Sequence, residues 1–249
     1  MDDTTEDLTR DAILGGTLTI HQPRRGYRFS VDSILLGRFA TVRARDRVLD
    51  LGAGGGVVAI MIAALARPRE VIALELQPQL AALIDRNATL NSLTNVRGVC
   101  ADIRARRNAG IEPASFDLIV ANPPYYAAAR GRHSPGEGRR AARSGTDAEL
   151  ADFVAAARRY ARNAARVAFV FAANRSAELI ATMRARELEP KRIRFVHPRV
   201  ELPAASVLVE ARVGGGVEVA VEPPLILYDN AGEYSAEARA LLLGARSGT

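Results

Sequence analysis

The sequence predicts an α/β fold in which a mostly parallel sheet is covered by helices on both faces. Two patterns carry that expectation. From Asp46 onward, short β-branched runs alternate with alanine-rich amphipathic stretches, the order of strand and covering helix in such a sheet. Glycines, carboxylates and an Asn-Pro-Pro turn then stand where strands are expected to end, the edge at which open α/β sheets bind ligands.

Taken in order, residues 1–15 are acidic and polar and read as a disordered tail, and residues 16–249 read as one domain whose first part, 16–45, covers the site. A helix is expected over 33–40. Strands are expected over 47–51, 70–74, 96–99 and 116–121, with helices over 57–66 and 78–91 between them. Residues 126–145 carry glycines, prolines and arginines without an apolar period and read as a loop. Thr146 and Glu149 have capping-box spacing and open a helix expected to run to Ala165. A strand over 167–171 and a helix over 177–187 follow. Residues 193–197 and 206–212 suggest an antiparallel hairpin at the sheet edge, 217–221 a further short strand, and the chain returns to helical spacing from Ala236.

Composition excludes several classes of function. Across 249 residues, 48% are hydrophobic, enough for a sizeable core, yet no run approaches the roughly 18 apolar residues of a membrane helix, so a cytoplasmic, membrane-free protein is expected. Cys100 is the only cysteine, which rules out a disulfide framework and a thiol zinc site, and His21, His133 and His197 lack metal-ligand or triad spacing; no metal is expected. The net charge of +6 suits a polyanionic partner. A monomer and a homodimer are both compatible with the chain.

The first chemical signal is Asp50-Leu51-Gly52-Ala53-Gly54-Gly55-Gly56, a glycine turn between strand and helix where backbone can approach a nucleotide-like ligand. The dinucleotide pattern G-x-G-x-x-G would need glycine at position 57, which is Val57, so the spacing argues against a pyrophosphate cofactor. The form D-x-G-x-G-x-G resembles the first motif of class I methyltransferases. Glu75, followed by Leu76, stands at the end of the next strand, where its carboxylate can accept from ribose hydroxyls. Asp102 ends the third, where it can accept from an adenine amino group while Ile103 packs on the ring.

Asn122-Pro123-Pro124-Tyr125 follows the fourth strand and resembles the catalytic motif of amino-group methyltransferases. An exocyclic amino nitrogen is a poor nucleophile because its lone pair is delocalised into the ring. The Asn122 side-chain oxygen and the Pro123 carbonyl can accept its two N–H groups, the prolines hold the turn rigid, and Tyr125 can stack on the flat target.

Two further segments, Gly26-Tyr27-Arg28-Phe29-Ser30-Val31-Asp32-Ser33 and Glu222-Pro223-Pro224-Leu225-Ile226-Leu227-Tyr228-Asp229, make the chain similar to bacterial tRNA (adenine-N6) methyltransferases that modify the anticodon-adjacent adenine of a valine tRNA. The resemblance runs over about residues 15 to 243. It implies a Rossmann-like class I fold with a mostly parallel seven-stranded sheet, S-adenosyl-L-methionine as cofactor and tRNA as partner. It places the donor site at Asp50, Gly52, Ala53, Gly54, Glu75, Leu76, Asp102, Ile103 and Asn122, and the catalytic site at Asn122 to Tyr125. A segment around Phe29 to Ser33 would cover the donor's methionine end. Asp32 either meets the donor's ammonium or caps the following helix. Arg130, Arg132, Arg139, Arg140 and Arg143, in the loop after the catalytic motif, are the expected RNA clamp, since guanidinium groups bind phosphates and stack on bases. A glutamine side chain of a release factor and the N2 of a ribosomal guanine present similar amino groups, and a non-catalytic RNA-binding protein on the same fold is the reading from a different class.

Overall fold

A computed structural model gives the fold and describes residues 8–26, 28–106, 110–124 and 148–244. The chain opens as an antiparallel hairpin of β1 (Leu8–Ile13) and β2 (Leu18–Pro23). This corrects the tail expected over residues 1–15. From Leu8 onward the chain is paired strand, because β2 buries alternate residues Leu18, Ile20 and Gln22 and so holds its partner in place. Helix α1 (Val31–Phe39) follows.

The main sheet contains seven longer strands: β3 (Arg47–Leu51), β4 (Glu70–Glu75), β5 (Val96–Cys100), β6 (Phe116–Ala121), β7 (Ala161–Ala172), β8 (Leu188–His197) and β9 (Ser206–Val213). Two two-residue strands, β10 (Ala220–Val221) and β11 (Leu225–Ile226), pair with β8 and bring the total to nine among the described residues. The order is β10-β8-β9-β7-β6-β3-β4-β5, parallel except where β9 runs against β7 and β8. The expected parallel sheet with an antiparallel edge pair is therefore present, enlarged by two short strands.

Helices α2 (Val57–Ala66), α3 (Pro78–Leu90), α4 (Leu150–Tyr160), α5 (Ser176–Arg184) and α6 (Ala236–Leu243) complete the architecture. Strand alternation divides the core in two. Val48, Val71, Leu118, Val120 and Val170 point to the face covered by α1, α2 and α6, while Leu49, Leu51, Ile72, Ile119 and Phe169 point to the face covered by α4 and α5. Apolar residues on all sides of α2 suit its place between sheet and α1, where Val57 to Ala63 are all buried. The helix expected from Thr146 to Ala165 is shorter. It begins at Leu150, with Glu149 as N-cap in a capping box with Asp152, and stops at Tyr160 because residues from Ala161 onward are drawn into β7 against β6.

The free edge of β2 is closed by side chains. Asn87 and Asn91, one turn apart on α3, each take one backbone N–H and give one N–H back. His21 N donates to Asn87 Oδ1 (2.8 Å) and Asn87 Nδ2 to His21 O (2.9 Å); Thr19 N donates to Asn91 Oδ1 (2.9 Å) and Asn91 Nδ2 to Thr19 O (2.7 Å). The match is metric: two strand residues advance roughly 6.6 Å and four helical residues roughly 6 Å. Asn87 Nδ2 also donates to Gly55 O (2.9 Å), which ties hairpin, helix and glycine turn to one buried amide. Replacing Asn87 by alanine strands a buried carbonyl and a strand N–H, so Asn87→Ala is expected to lower unfolding free energy by about 2–4 kcal/mol, read from urea unfolding at unchanged slope.

Candidate active site

The chain begins its main sheet in the middle, at β3, builds outward through β4 and β5, then returns to place β6 on the other side of β3. That reversal opens a crevice at the carboxyl ends of the strands. Gly52 follows β3, Glu75 ends β4, Asp102 lies two residues past β5 and Asn122 follows β6. Four adjacent strand ends at roughly 5 Å spacing spread these residues along roughly 15 Å of edge. The resulting cleft has a volume of about 380 Å³.

The turn after β3 folds back on β4, with Gly52 N and Ala53 N both donating to Leu74 O (2.8 and 3.0 Å). Gly52 sits at φ +68°, and a Cβ there would lie 2.9 Å from Phe153 Cε1, so both backbone conformation and space exclude a side chain. Glu75 is buried and held by two backbone donors, Gly54 N to Oε2 and Gln77 N to Oε1, each at 2.9 Å. Each carboxylate oxygen keeps a second lone pair for a ligand hydroxyl.

Gly52, Glu75, Leu76, Asp102, Ile103, Asn122, Pro123 and Pro124, all singled out in the sequence, line this one cleft. Others do not. Asp50 is buried beneath the turn, Ala53 is buried, and the Gly54 N–H is directed to Glu75 rather than to the cleft. Phe29 packs against the core, its N–H donating to Gln22 Oε1 (3.1 Å), and Asp32 accepts from Ser206 Oγ (2.9 Å) in the first turn of α1. Phe29 and Asp32, expected to cover the donor's methionine end, thus stand beside the cleft rather than in its lining, Phe29 packed on the core and Asp32 bonded to a strand-end partner 174 residues away. Tyr125 and the arginines 130, 132, 139, 140 and 143 lie outside the described residues.

Asp102 is not an open acceptor. Arg104 donates to it from its backbone N (2.8 Å), Nε (3.0 Å) and a terminal nitrogen (2.7 Å), and this bonding holds the Asp102 carboxyl below the ordinary carboxylate range. Arg28 and Ser30, the latter in the segment expected to cover the donor, also line the cleft, and Gln77, Leu80, Ala148 and Phe153, which sequence reading missed, complete it. Phe153 was masked by its spacing: Leu150, Phe153, Val154 and Ala157 form an ordinary buried helix stripe. Arg28 is steadied at the mouth by Asp11 (3.3 Å), Thr9 Oγ1 (3.0 Å) and Pro23 O (3.2 Å). Nothing in sequence spacing pairs Arg28 with Asp11, because the hairpin fold brings them together.

Comparison with known proteins bears on these residues. Residues 30–134 match the family described as methyltransferase small domain. The matched stretch takes in the glycine turn, Glu75, Asp102 and Asn122, while Phe153 approaches Gly52 from α4 outside it. A tRNA1(Val) (adenine(37)-N6)-methyltransferase of Enterobacter sp. (strain 638) is 36% identical over 121 residues, 48% of this chain, so the match spans about half (49%) of that relative's length. The enzyme of the same name from Aeromonas salmonicida (strain A449) is 28% identical over 220 residues, 87% of this chain and 89% of the relative. The crystal structure of a "predicted O-methyltransferase" from Agrobacterium tumefaciens superposes with a TM-score of 0.66 at 22% identity, covering 84% of this chain and 94% of that one, which shows a shared fold.

The cleft residues fit an adenosine-bearing methyl donor such as S-adenosylmethionine. A glycine where a Cβ would collide, a carboxylate braced by backbone donors, and apolar walls from Leu76, Leu80 and Ile103 suit a ribose and a flat base.

Beneath the turn, Asp50 Oδ2 has no hydrogen-bond partner among the described residues. Burial pushes its carboxyl from 3.8 up to about 7, against a backbone hydrogen bond from Ala59 and assisted by the nearby charge of Glu75. The folded domain thus binds one more proton than the unfolded chain between about pH 4 and 7, so stability contributed by neutral Asp50 declines as pH rises through that window. Asp50→Asn removes this titration. Its thermal midpoint is expected to fall less than that of the wild type between pH 5 and 8, and parallel midpoint curves for the two proteins would contradict the assignment.

Proposed function

We propose that this protein transfers a methyl group from S-adenosylmethionine to the exocyclic N6 of an adenine in tRNA, the anticodon-adjacent adenine of tRNA1(Val) being the preferred site. The observation that carries this reading is the seating of Asn122, Pro123 and Pro124 in the same cleft as Glu75 and Gly52. The names of the Enterobacter and Aeromonas relatives support the choice of base and RNA.

Glu75 accepts from the donor's ribose hydroxyls, Leu76 and Ile103 flank its base, and the bare backbone of Gly52 lets it approach closely. When bound, the donor supplies an electrophilic methyl on a sulfonium centre. The protein's own task is to orient the acceptor nitrogen. Asn122 Oδ1 and the Pro123 carbonyl accept its two N–H groups, which draws the lone pair out of conjugation and toward the methyl for in-line displacement of the neutral thioether, the methylated nitrogen then losing one N–H proton to solvent. Tyr125 stacks on the extruded base, and an anticodon-loop base costs little to extrude because it is already partly unstacked. Arg28 at the mouth and Arg130, Arg132, Arg139, Arg140 and Arg143 contact the RNA backbone.

The test offers isotopically labelled S-adenosylmethionine with unmodified total tRNA, ribosomal RNA or release factors, followed by digestion of the product. Label is expected as N6-methyladenosine from tRNA; label in glutamine or N2-methylguanosine would replace the substrate. Asn122→Ala is expected to slow transfer by about 10²–10³-fold while calorimetric affinity for S-adenosylhomocysteine changes by no more than about tenfold.

A further inference from the structure

Among the described residues, two side-chain hydrogen bonds dock the first turn of α1 on the sheet, and both end at the strand edge that carries the cleft. Ser206 Oγ, from the first residue of β9, donates to Asp32 Oδ1 (2.9 Å), and Asn122 Nδ2, from the residue after β6, donates to Ser33 Oγ (3.1 Å). Only β7 separates β6 from β9, so one helical turn is stapled across three neighbouring strand ends. Ser33 itself is 2% exposed, does not line the cleft, and stands in regular helix with its N–H on Ser30 O (3.1 Å). Its hydroxyl oxygen thus stands on regular buried backbone and accepts from the Asn122 amide.

We infer that Ser33 is a positioning residue for methyl transfer: it takes the donor end of the Asn122 amide and so turns the acceptor end toward the amino group to be methylated. The inference rests on the proposed role of Asn122. An amide is planar, with its nitrogen and oxygen on opposite sides of the Cβ–Cγ axis, so an NH₂ directed at Ser33 leaves Oδ1 on the other side. The opposite rotamer would present N–H donors to a substrate amino group that is itself a donor, an arrangement that cannot bind it. Holding the amide before the substrate arrives spares reorganisation at the moment of reaction. The Asp32–Ser206 bond supports this by fixing the turn on which Ser33 stands. Ser33 therefore acts on the side of the methyl acceptor, a role separate from the donor-covering one that the family resemblance implies for residues 29–33.

The test compares wild type with Ser33→Ala, Ser33→Thr and Asn122→Ala in single-turnover methyl transfer, in calorimetric binding of S-adenosylhomocysteine, and in the NMR signals of the Asn122 side-chain NH₂. Ser33→Ala is expected to slow transfer about tenfold at unchanged S-adenosylhomocysteine affinity, and Ser33→Thr, which keeps the hydroxyl, to restore most of the rate. The NH₂ pair, identified by its loss in Asn122→Ala, is expected to exchange slowly with solvent in the wild type and fast in Ser33→Ala. Wild-type transfer by Ser33→Ala alongside a disabled Asn122→Ala would overturn the role of Ser33 and leave that of Asn122 standing. Full transfer by Asn122→Ala would instead overturn the proposed function. A parallel loss of rate and S-adenosylhomocysteine affinity in Ser33→Ala would reduce Ser33 to a structural residue, and an NH₂ pair that exchanges fast in the wild type would show the amide turned the other way.

Discussion

The buried side-chain amide of Asn87 is the constraint on which the site depends. It closes the edge of β2 and holds the carbonyl of Gly55, so the N-terminal hairpin and the glycine turn share one anchor on α3. Edge strands normally leave unpaired N–H and C=O groups. Here a pair of asparagines, spaced by one helical turn, stands in for the missing strand. Because the hairpin is pinned this way, Gln22 can receive the Phe29 N–H and Asp11 can hold Arg28. The chain is thereby delivered to the mouth of the cleft and to the start of α1.

Two acidic residues beside the glycine turn divide the work by environment. Glu75 is buried but receives two backbone N–H groups, the arrangement that makes a carboxylate tolerable away from water. Asp50 is buried with one oxygen unpartnered, and desolvation drives its carboxyl up to about 7. A pair this close is easier to bury when one member holds its proton. The one aimed into the cleft keeps the hydrogen bonds; the one under the turn supports α2 through the Ala59 N–H.

The cleft is assembled from pieces far apart in the chain: Arg28 and Ser30, Gly52, residues 75–77 and Leu80, Asp102 and Ile103, residues 122–124, and Ala148 with Phe153. Its chemistry is polarised along the sheet edge. The Glu75 carboxylate, braced by backbone, stands at the β4 side, and the Asn-Pro-Pro turn stands at the β6 side. The asymmetry follows from strand order alone, since β3 lies between them and contributes only a bare turn.

Local pattern was sufficient for much of this. Residues 47–51, 57–66 and 116–121 were legible to the residue because strands buried on both faces and an all-apolar helix leave little ambiguity, and the glycine turn, Glu75, Asp102 and Asn122 were legible because each ends a strand. Boundaries blurred where tertiary pairing overrides local spacing, as at Ala161, which continues a helical pattern yet enters β7. The contacts that orient side chains were not legible at all. Asn122 with Ser33, Asp32 with Ser206, Arg28 with Asp11 and Asn87 with Gly55 join residues 17 to 174 positions apart. The sequence by itself determined the strand and helix types and the residues at the strand ends, because these follow from periodicity and backbone preference. Only the tertiary structure decided which way those residues face and what holds them, because a hydrogen bond between distant elements depends on strand order and helix docking that no local pattern encodes.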